Sequence, residues 1–351
     1  KYDAEGAIGI VMNPKSGEIL AISSIPSFDP ANYKNYSSEI INRNLAIWSN
    51  FEPGSTFKIV TLASAINEGK VDIFKEHFYD SGSIKVANST LHCWKRKGHG
   101  DETFIQVVEN SCNPGFVNLG QRLGKETLFK YITELGFGKK TGIDLNGEAT
   151  GILFNLDKVG PVELATTAFG QGISVTALQQ VTAVSAIVNG GTLYTPYIVS
   201  SVGDDSKSPV IKKENIITKE TSDVVKYALE SVVANGSGRN AYIENYRIGG
   251  KTGTAQKVGS DGRYMQGNYV LSFIGFMPAD NPDYVMYIAI DHAKGVTQYG
   301  GVVSAPIARN VFKDIISIHD IKEDTKGIPK SYRWDDIVYK MIPDVIGKTK
   351  K

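Results

Sequence analysis

Apolar, β-favouring residues fill the run from Ala7 to Asn13 and recur from Glu18 to Ser24. The turn-forming Pro14-Lys15-Ser16-Gly17 separates the two runs, so they predict a β-hairpin. A different pattern begins after Pro53-Gly54. From Ser55 to Asn67 the apolar residues Phe57, Ile59, Val60, Leu62, Ala63 and Ile66 cover much of a helix circumference. This predicts a buried helix with a proline-glycine lead-in and Gly69 past its end. Residues Val71 to Thr103 show no sustained period and read as irregular and polar. Helical runs follow at Phe104 to Glu109, Gly115 to Leu123, Lys125 to Leu135 (closed by Gly136) and Thr176 to Val188.

Beyond a variable stretch, β-rich runs return at Arg247 to Lys257, Tyr269 to Met277 and Tyr284 to Asp291, and Pro306 to Ile318 reads as a closing helix. Strands at both ends with helices between them predict an α+β fold whose antiparallel sheet is assembled from both chain ends. Residues Asp320 to Met341 read as a connector. No internal repeat or low-complexity tract interrupts the chain.

Composition narrows the function classes. The 351 residues are 41% hydrophobic and 21% charged, ordinary globular usage. Net charge is +1, which gives no bulk attraction for nucleic acid. The basic run Lys95-Arg96-Lys97 reads as a solvated loop. No stretch approaches eighteen apolar residues. The chain enters a strand-like run soon after Lys1, as a piece of a longer protein does. The two cysteines, Cys93 and Cys112, leave open a disulfide, packed thiols or metal ligands.

Candidate chemistry begins at Ser55-Thr56-Phe57-Lys58. Serine needs a base to become a nucleophile, and lysine serves when its charge is destabilised. Residues i and i+3 share a helix face, so hydroxyl and amine lie side by side on an apolar helix. This is the only S-x-x-K in the chain, and alone it is weak evidence. Two further elements follow in order. Ser111-Cys112-Asn113 is the only S-x-N and lies at a break between helices. Lys251-Thr252-Gly253-Thr254 follows Gly249-Gly250 on a predicted strand. A second K-T-G, Lys140-Thr141-Gly142, reads as a connecting loop. Plainer readings compete: a helix N-cap for Ser55, a cap for Asn113, and loop bracing for Gln171.

The order S-x-x-K, S-x-N, K-T-G is the signature of penicillin-binding proteins and class A β-lactamases, with Cys112 where that signature has Asp. From about Glu5 to Ile318 the chain resembles the transpeptidase domain of class B penicillin-binding proteins. Val11 to Ala21, Phe28-Asp29-Pro30, Glu52-Pro53-Gly54-Ser55, Phe169-Gly170-Gln171-Gly172 and Phe273 to Pro278 resemble further stretches of that family. The terminal Ile342 to Gly347 resembles the start of a PASTA module.

The resemblance implies a penicillin-binding, serine β-lactamase-like fold with an inserted all-helical subdomain. It implies a transpeptidase domain at 1–319, a connector at 320–341 and a truncated PASTA-like start at 342–351. Ser55 would be acylated by a D-Ala-D-Ala stem peptide or by a β-lactam. Lys58 would act as base, Ser111 as proton relay and Lys251 as a neighbouring charge that pushes Lys58 toward neutrality. Asn113, Thr252, Gly253 and Thr254 would bind substrate, and the backbone N–H groups of Ser55 and Thr254 would form the oxyanion hole. Catalysis would need no cofactor.

Many members carry cysteine at the position of Asp80, and the resemblance then implies a structural Zn²⁺ on Asp80, Cys93, His99 and Cys112. His92 or Asp101 could substitute, and packed thiols or a disulfide remain alternatives. A glycosyltransferase of the SEDS type would be the partner. The domain would work at the extracytoplasmic membrane face, anchored by a preceding N-terminal segment, in spore-cortex or septal wall synthesis. No E-x-x-L-N stretch separates the second and third motifs, which disfavours a β-lactamase. An acylated sensor or a wall-binding scaffold remains as the rival reading.

Overall fold

The computed structural model describes residues 1–259 and 261–330. The expected PASTA-like start and half of the expected connector, residues 331–341, lie outside the described residues. Five strands form the central antiparallel sheet: β1 (Gly6–Met12), β2 (Ile19–Ile25), β7 (Gly249–Val258), β8 (Tyr264–Met277) and β9 (Tyr284–Asp291). Their order is β7-β8-β9-β1-β2, so the sheet joins both chain ends as the pattern predicts. The register pairs Ile10 with Tyr287 and Lys251 with Ile274, and leaves β7 at an edge.

Period-2 alternation sends the two faces of the sheet into different cores. Ile8, Ile10, Met12, Ile274, Phe276 and Tyr287 face the larger cluster, which includes helices α1 (Lys58–Asn67) and α6 (Ala177–Val188). Val11, Leu271, Phe273, Met286 and Ile288 face the smaller one, with Val303, Ala308 and Phe312 of α8 (Gly300–Ile318). The result is helix, sheet, helix. Helix α6 is fixed at its start by a capping box. Gln179 N–H donates to Thr176 Oγ1 at 3.1 Å, and Thr176 N–H donates to Gln179 Oε1 at 3.0 Å.

Between β2 and β7 lie further helices, among them α2 (Phe104–Glu109), α3 (Asn113–Leu123), α4 (Lys125–Glu134), α5 (Pro161–Ala168) and α7 (Lys219–Asn235). The stretch expected to be irregular carries two small ribbons, so the insertion is not wholly helical. In them β3 (His77–Asp80) pairs with β6 (Gly100–Thr103), and β4 (Ser83–Val86) with β5 (Ser89–His92). Strands of four residues are too short to show a period. Helix α7 also falls where the sequence reads as variable. Its Val225, Leu229 and Val232 join the larger core and Val233 the smaller, so it bridges the two beside β7.

Candidate active site

Ser55 sits in a 3-10 turn, Gly54–Phe57, that runs directly into α1. In 3-10 geometry residues i and i+3 eclipse, so Ser55 and Lys58 share a face as the spacing predicts. The turn is held from two sides. Gly54 N–H donates to the Gly170 carbonyl at 3.0 Å, and the Thr56 hydroxyl donates to the Pro53 carbonyl at 2.8 Å. Gly170 has φ +86°, and a side chain there would strike the Gly54 carbonyl. Nearby, Gly172 N–H donates to Glu52 Oε1 at 2.8 Å. The Phe169-Gly170-Gln171-Gly172 loop therefore braces the serine turn, while Gln171 itself lines the cleft. The cap of the turn is Pro53, so Ser55 is no N-cap.

Lys58 is 1% exposed. Its ammonium donates to the Ser111 carbonyl at 2.9 Å, to Ser111 Oγ at 3.2 Å and to Asn113 Oδ1 at 2.6 Å. Burial pushes Lys58 down to about 8 against the opposing charges of Cys112 and Cys93. Ser111 holds a left-handed φ of +53°, which turns it at the break between α2 and α3. Cys112 is the N-cap of α3 and Asn113 its first residue, so Asn113 is no cap. Instead its amide joins Lys58 to the His92 carbonyl, to which Nδ2 donates at 3.0 Å.

Lys251 is fully buried, and its Nζ donates to the Thr252 carbonyl at 3.2 Å. Burial, and then the charge of Lys58, hold Lys251 well below the ordinary lysine range. The repulsion between the two amines is mutual, and each disfavours the charge of the other. Thr252 Oγ1 donates to Ser237 Oγ at 3.2 Å. Thr254 Oγ1 accepts from Gly300 N–H, the first of α8, at 3.1 Å, which leaves its own proton to donate elsewhere. Gly253 is needed for close packing. A Cβ there would strike Ser272 Oγ and come within 3.0 Å of Thr56. The second K-T-G is a loop: Thr141 donates through Oγ1 to Glu148 at 2.5 Å.

These residues surround a cleft of about 540 Å³ lined by Ser55, Ser111, Asn113, Thr252 and Thr254. Ser237, Arg239, Asn240, Tyr269 and Tyr299 also line it and were missed from sequence. The signal for the first three was Gly236-Ser237-Gly238 behind a helix that itself went unread. Ser237 N–H donates to the Glu109 carbonyl at 2.9 Å, so that turn also supports the Ser111 break. No Asp or Glu lines the cleft among the described residues.

One wall of the cleft carries the cysteines. The donor atoms of Asp80, Cys93, His99 and Cys112 lie within 4.8 Å of one another, and both cysteines are free thiols rather than a disulfide. His99 Nδ1 lies 2.7 Å from Asp80 Oδ2 and 3.6 Å from Cys93 Sγ. The bond to Cys112 pulls the Cys93 thiol down to about 5 and pushes Cys112 up. The expected substitutes lie elsewhere. His92 is exposed, and Asp101 pairs with His77 at 2.9 Å. The wall is tied to the Ser111 break, because Trp94 Nε1 donates to the Asn110 carbonyl at 2.7 Å.

The penicillin binding protein transpeptidase domain, as a family, matches residues 7–313. The chain belongs to the penicillin-binding protein transpeptidase family. It is 56% identical over 354 residues to stage V sporulation protein D of Bacillus subtilis, covering 99% of this chain and 54% of that protein. Penicillin-binding protein PbpB of Mycobacterium tuberculosis is 32% identical over 321 residues, with 88% and 47% covered. The chain thus spans about half the length of these curated relatives. Among solved structures, penicillin binding protein 3 of Mycobacterium tuberculosis complexed with aztreonam superposes with a TM-score of 0.83 at 29% identity, covering 94% of this chain and 76% of that one. The apo transpeptidase domain of Burkholderia pseudomallei penicillin-binding protein 3 gives 0.79 at 26% identity, with 92% and 91% covered. The penicillin-binding fold and the α+β reading agree with these likenesses.

Proposed function

We propose that the chain is a serine D,D-transpeptidase that cross-links peptidoglycan stem peptides and is acylated by β-lactams. The observation that carries this is the buried Lys58 ammonium bonded to Ser111 and Asn113, two residues that line one cleft with Ser55. Ser55 attacks the carbonyl of the penultimate D-Ala, and its proton passes toward Lys58. The C–N bond to the terminal D-Ala breaks, and Ser111 relays a proton to the departing amine. An amine of a second stem then attacks the acyl-enzyme, forming the cross-link and freeing Ser55.

Backbone N–H groups of Ser55 and Thr254 stabilise the oxyanion that exists only near the transition state. Thr252 and Thr254 take the terminal carboxylate, Asn113 the peptide amide, and Gly253 lets the strand and the serine turn meet. Lys251 adds positive charge behind them. A labelled penicillin followed over time tests this reading: a lasting adduct on the Ser55 peptide supports it, and an unlabelled Ser55 sinks it.

The four donors of the cysteine wall fit a structural Zn²⁺. Two thiolates, one imidazole and one carboxylate form a tetrahedral donor set, and the 3.6 Å between Cys93 Sγ and His99 Nδ1 suits two ligands about 2.0–2.3 Å from a shared ion. A bound metal would supply only a cross-link between β3, the 93–99 loop and the start of α3. Catalysis itself needs no cofactor.

The likeness to a stage V sporulation protein supports a role in spore-cortex or septal wall synthesis. The reading extends to a transpeptidase domain at 1–319 followed by a connector and a PASTA-like module. It also includes a SEDS-type glycosyltransferase partner, and a place at the extracytoplasmic face of the cell membrane held by an N-terminal anchor. No described helix is long and apolar enough to cross a membrane.

A further inference from the structure

The basic run Lys95-Arg96-Lys97 has no part in the chemistry above. It forms the tip of a turn in which Gly98 N–H donates to the Lys95 carbonyl at 2.8 Å. The turn is rigidly mounted. Cys93 and His99 on its two sides belong to the four-donor cluster. Gly98, at φ +74°, packs so closely that a Cβ would strike the Asp80 carbonyl. Beside the tip, Trp94 is tied to the Asn110 carbonyl. Of the three basic residues, Arg96 lines the cleft, on the wall that also supplies Asn113. Arg96 forms no ion pair among the described residues, and no carboxylate lines the cleft to neutralise it. A guanidinium held at the rim of a cleft without acids suits a carboxylate ligand, which it binds through two parallel hydrogen bonds.

We propose that Arg96 forms a subsite for an internal carboxylate of the acyl-donor stem peptide, upstream of its D-Ala-D-Ala end. This rests on the transpeptidase reading. The terminal carboxylate of the stem is taken by Thr252 and Thr254 on β7, so the opposite wall meets the preceding part of the peptide. The internal carboxylate belongs either to the acidic residue of the stem or to its diamino acid. Amidation removes either one, so Arg96 reads the amidation state of the wall precursor.

The test measures D-Ala release from three soluble pentapeptide stems. One carries both carboxylates, one is amidated at the acidic residue and one at the diamino acid. For the wild-type chain, kcat/KM is expected to fall about tenfold on one amidated stem, the size of a charged hydrogen bond lost. That stem names the source of the carboxylate. Arg96→Gln should lose about tenfold on the unamidated stem and nothing more on that amidated one, with Arg96→Lys recovering part of the loss. Equal rates of the wild type on all three stems overturn the subsite. So does an Arg96→Gln loss of the same factor on every stem, since that is the mark of a disturbed loop. No release from any stem, together with no penicillin adduct on Ser55, overturns the transpeptidase reading and the subsite with it.

Discussion

Lys58 carries the clearest residue-scale consequence. In the proposed mechanism its amine is neutral when it accepts the Ser55 proton, and burial has brought it down to about 8. A lysine lowered in the folded chain is charged below that value and neutral above it. Acylation by penicillin should therefore climb with pH through about 8 and level off beyond it, by about tenfold per unit on the acid side. Lys251 is the neighbouring amine, itself held well below the ordinary lysine range, and Cys93 and Cys112 are the opposing groups. A rate that is flat from pH 6 to 9 would contradict the assignment of Lys58 as base. Ser55→Ala should abolish the penicillin adduct seen by intact mass while leaving the melting temperature within a few degrees, because the half-buried hydroxyl makes no bond on which the turn depends.

How far these residues could be read from the chain differs from one to the next. Ser55 and Lys58 declare themselves by i,i+3 spacing on an apolar helix. The Lys58 bonds to Ser111 and Asn113 span more than fifty residues, and only the order of the motifs hinted at them. Ser237 and Arg239 were marked only by the Gly236-Ser237-Gly238 turn, because their place in the cleft depends on how α7 ends against Glu109.

At the scale of elements, the long periodic ones were legible: the β1–β2 hairpin, α1, α6 and the β7 to β9 strands. The four-residue ribbons and α7 were not. The pattern of α7, Lys219 to Asn235, mixes Lys, Glu, Ser and Thr into its apolar face, because it meets two cores instead of one. Two predictions belong here. Cys112→Ser should take zinc in the purified domain from about one equivalent toward zero and slow acylation through the Ser111 break. Elemental analysis and penicillin kinetics check this, and a metal-free wild type, or acylation and stability unchanged in Cys112→Ser, would refute the zinc assignment. Gly253→Ala inserts a methyl where Ser272 and Thr56 already sit. It should cost about 1–3 kcal/mol by denaturant unfolding and slow acylation, because the strand and the serine turn must separate.

For the whole molecule, the sheet explains why the two halves of the site come from distant parts of the chain. β7 and β8 arrive from the C-terminal half and close on β1 and β2 from the N-terminal end, with the helical insertion carrying Ser55, Lys58, Ser111 and Asn113 over one face. Strands gathered at both chain ends made that architecture readable, whereas which side chains line the cleft depends on how the layers pack. The same layout serves a transpeptidase, a sensor that stays acylated and a scaffold, so turnover must separate them. The direct measurement supplies lipid-linked disaccharide-pentapeptide and a glycosyltransferase partner and follows D-Ala release and cross-linked muropeptide dimers together by mass spectrometry. A transpeptidase working through Ser55 gives dimers and D-Ala in equal amounts, both abolished by penicillin and by Ser55→Ala. D-Ala without dimers, dimers that persist in Ser55→Ala, or neither product from a chain that binds penicillin would contradict it.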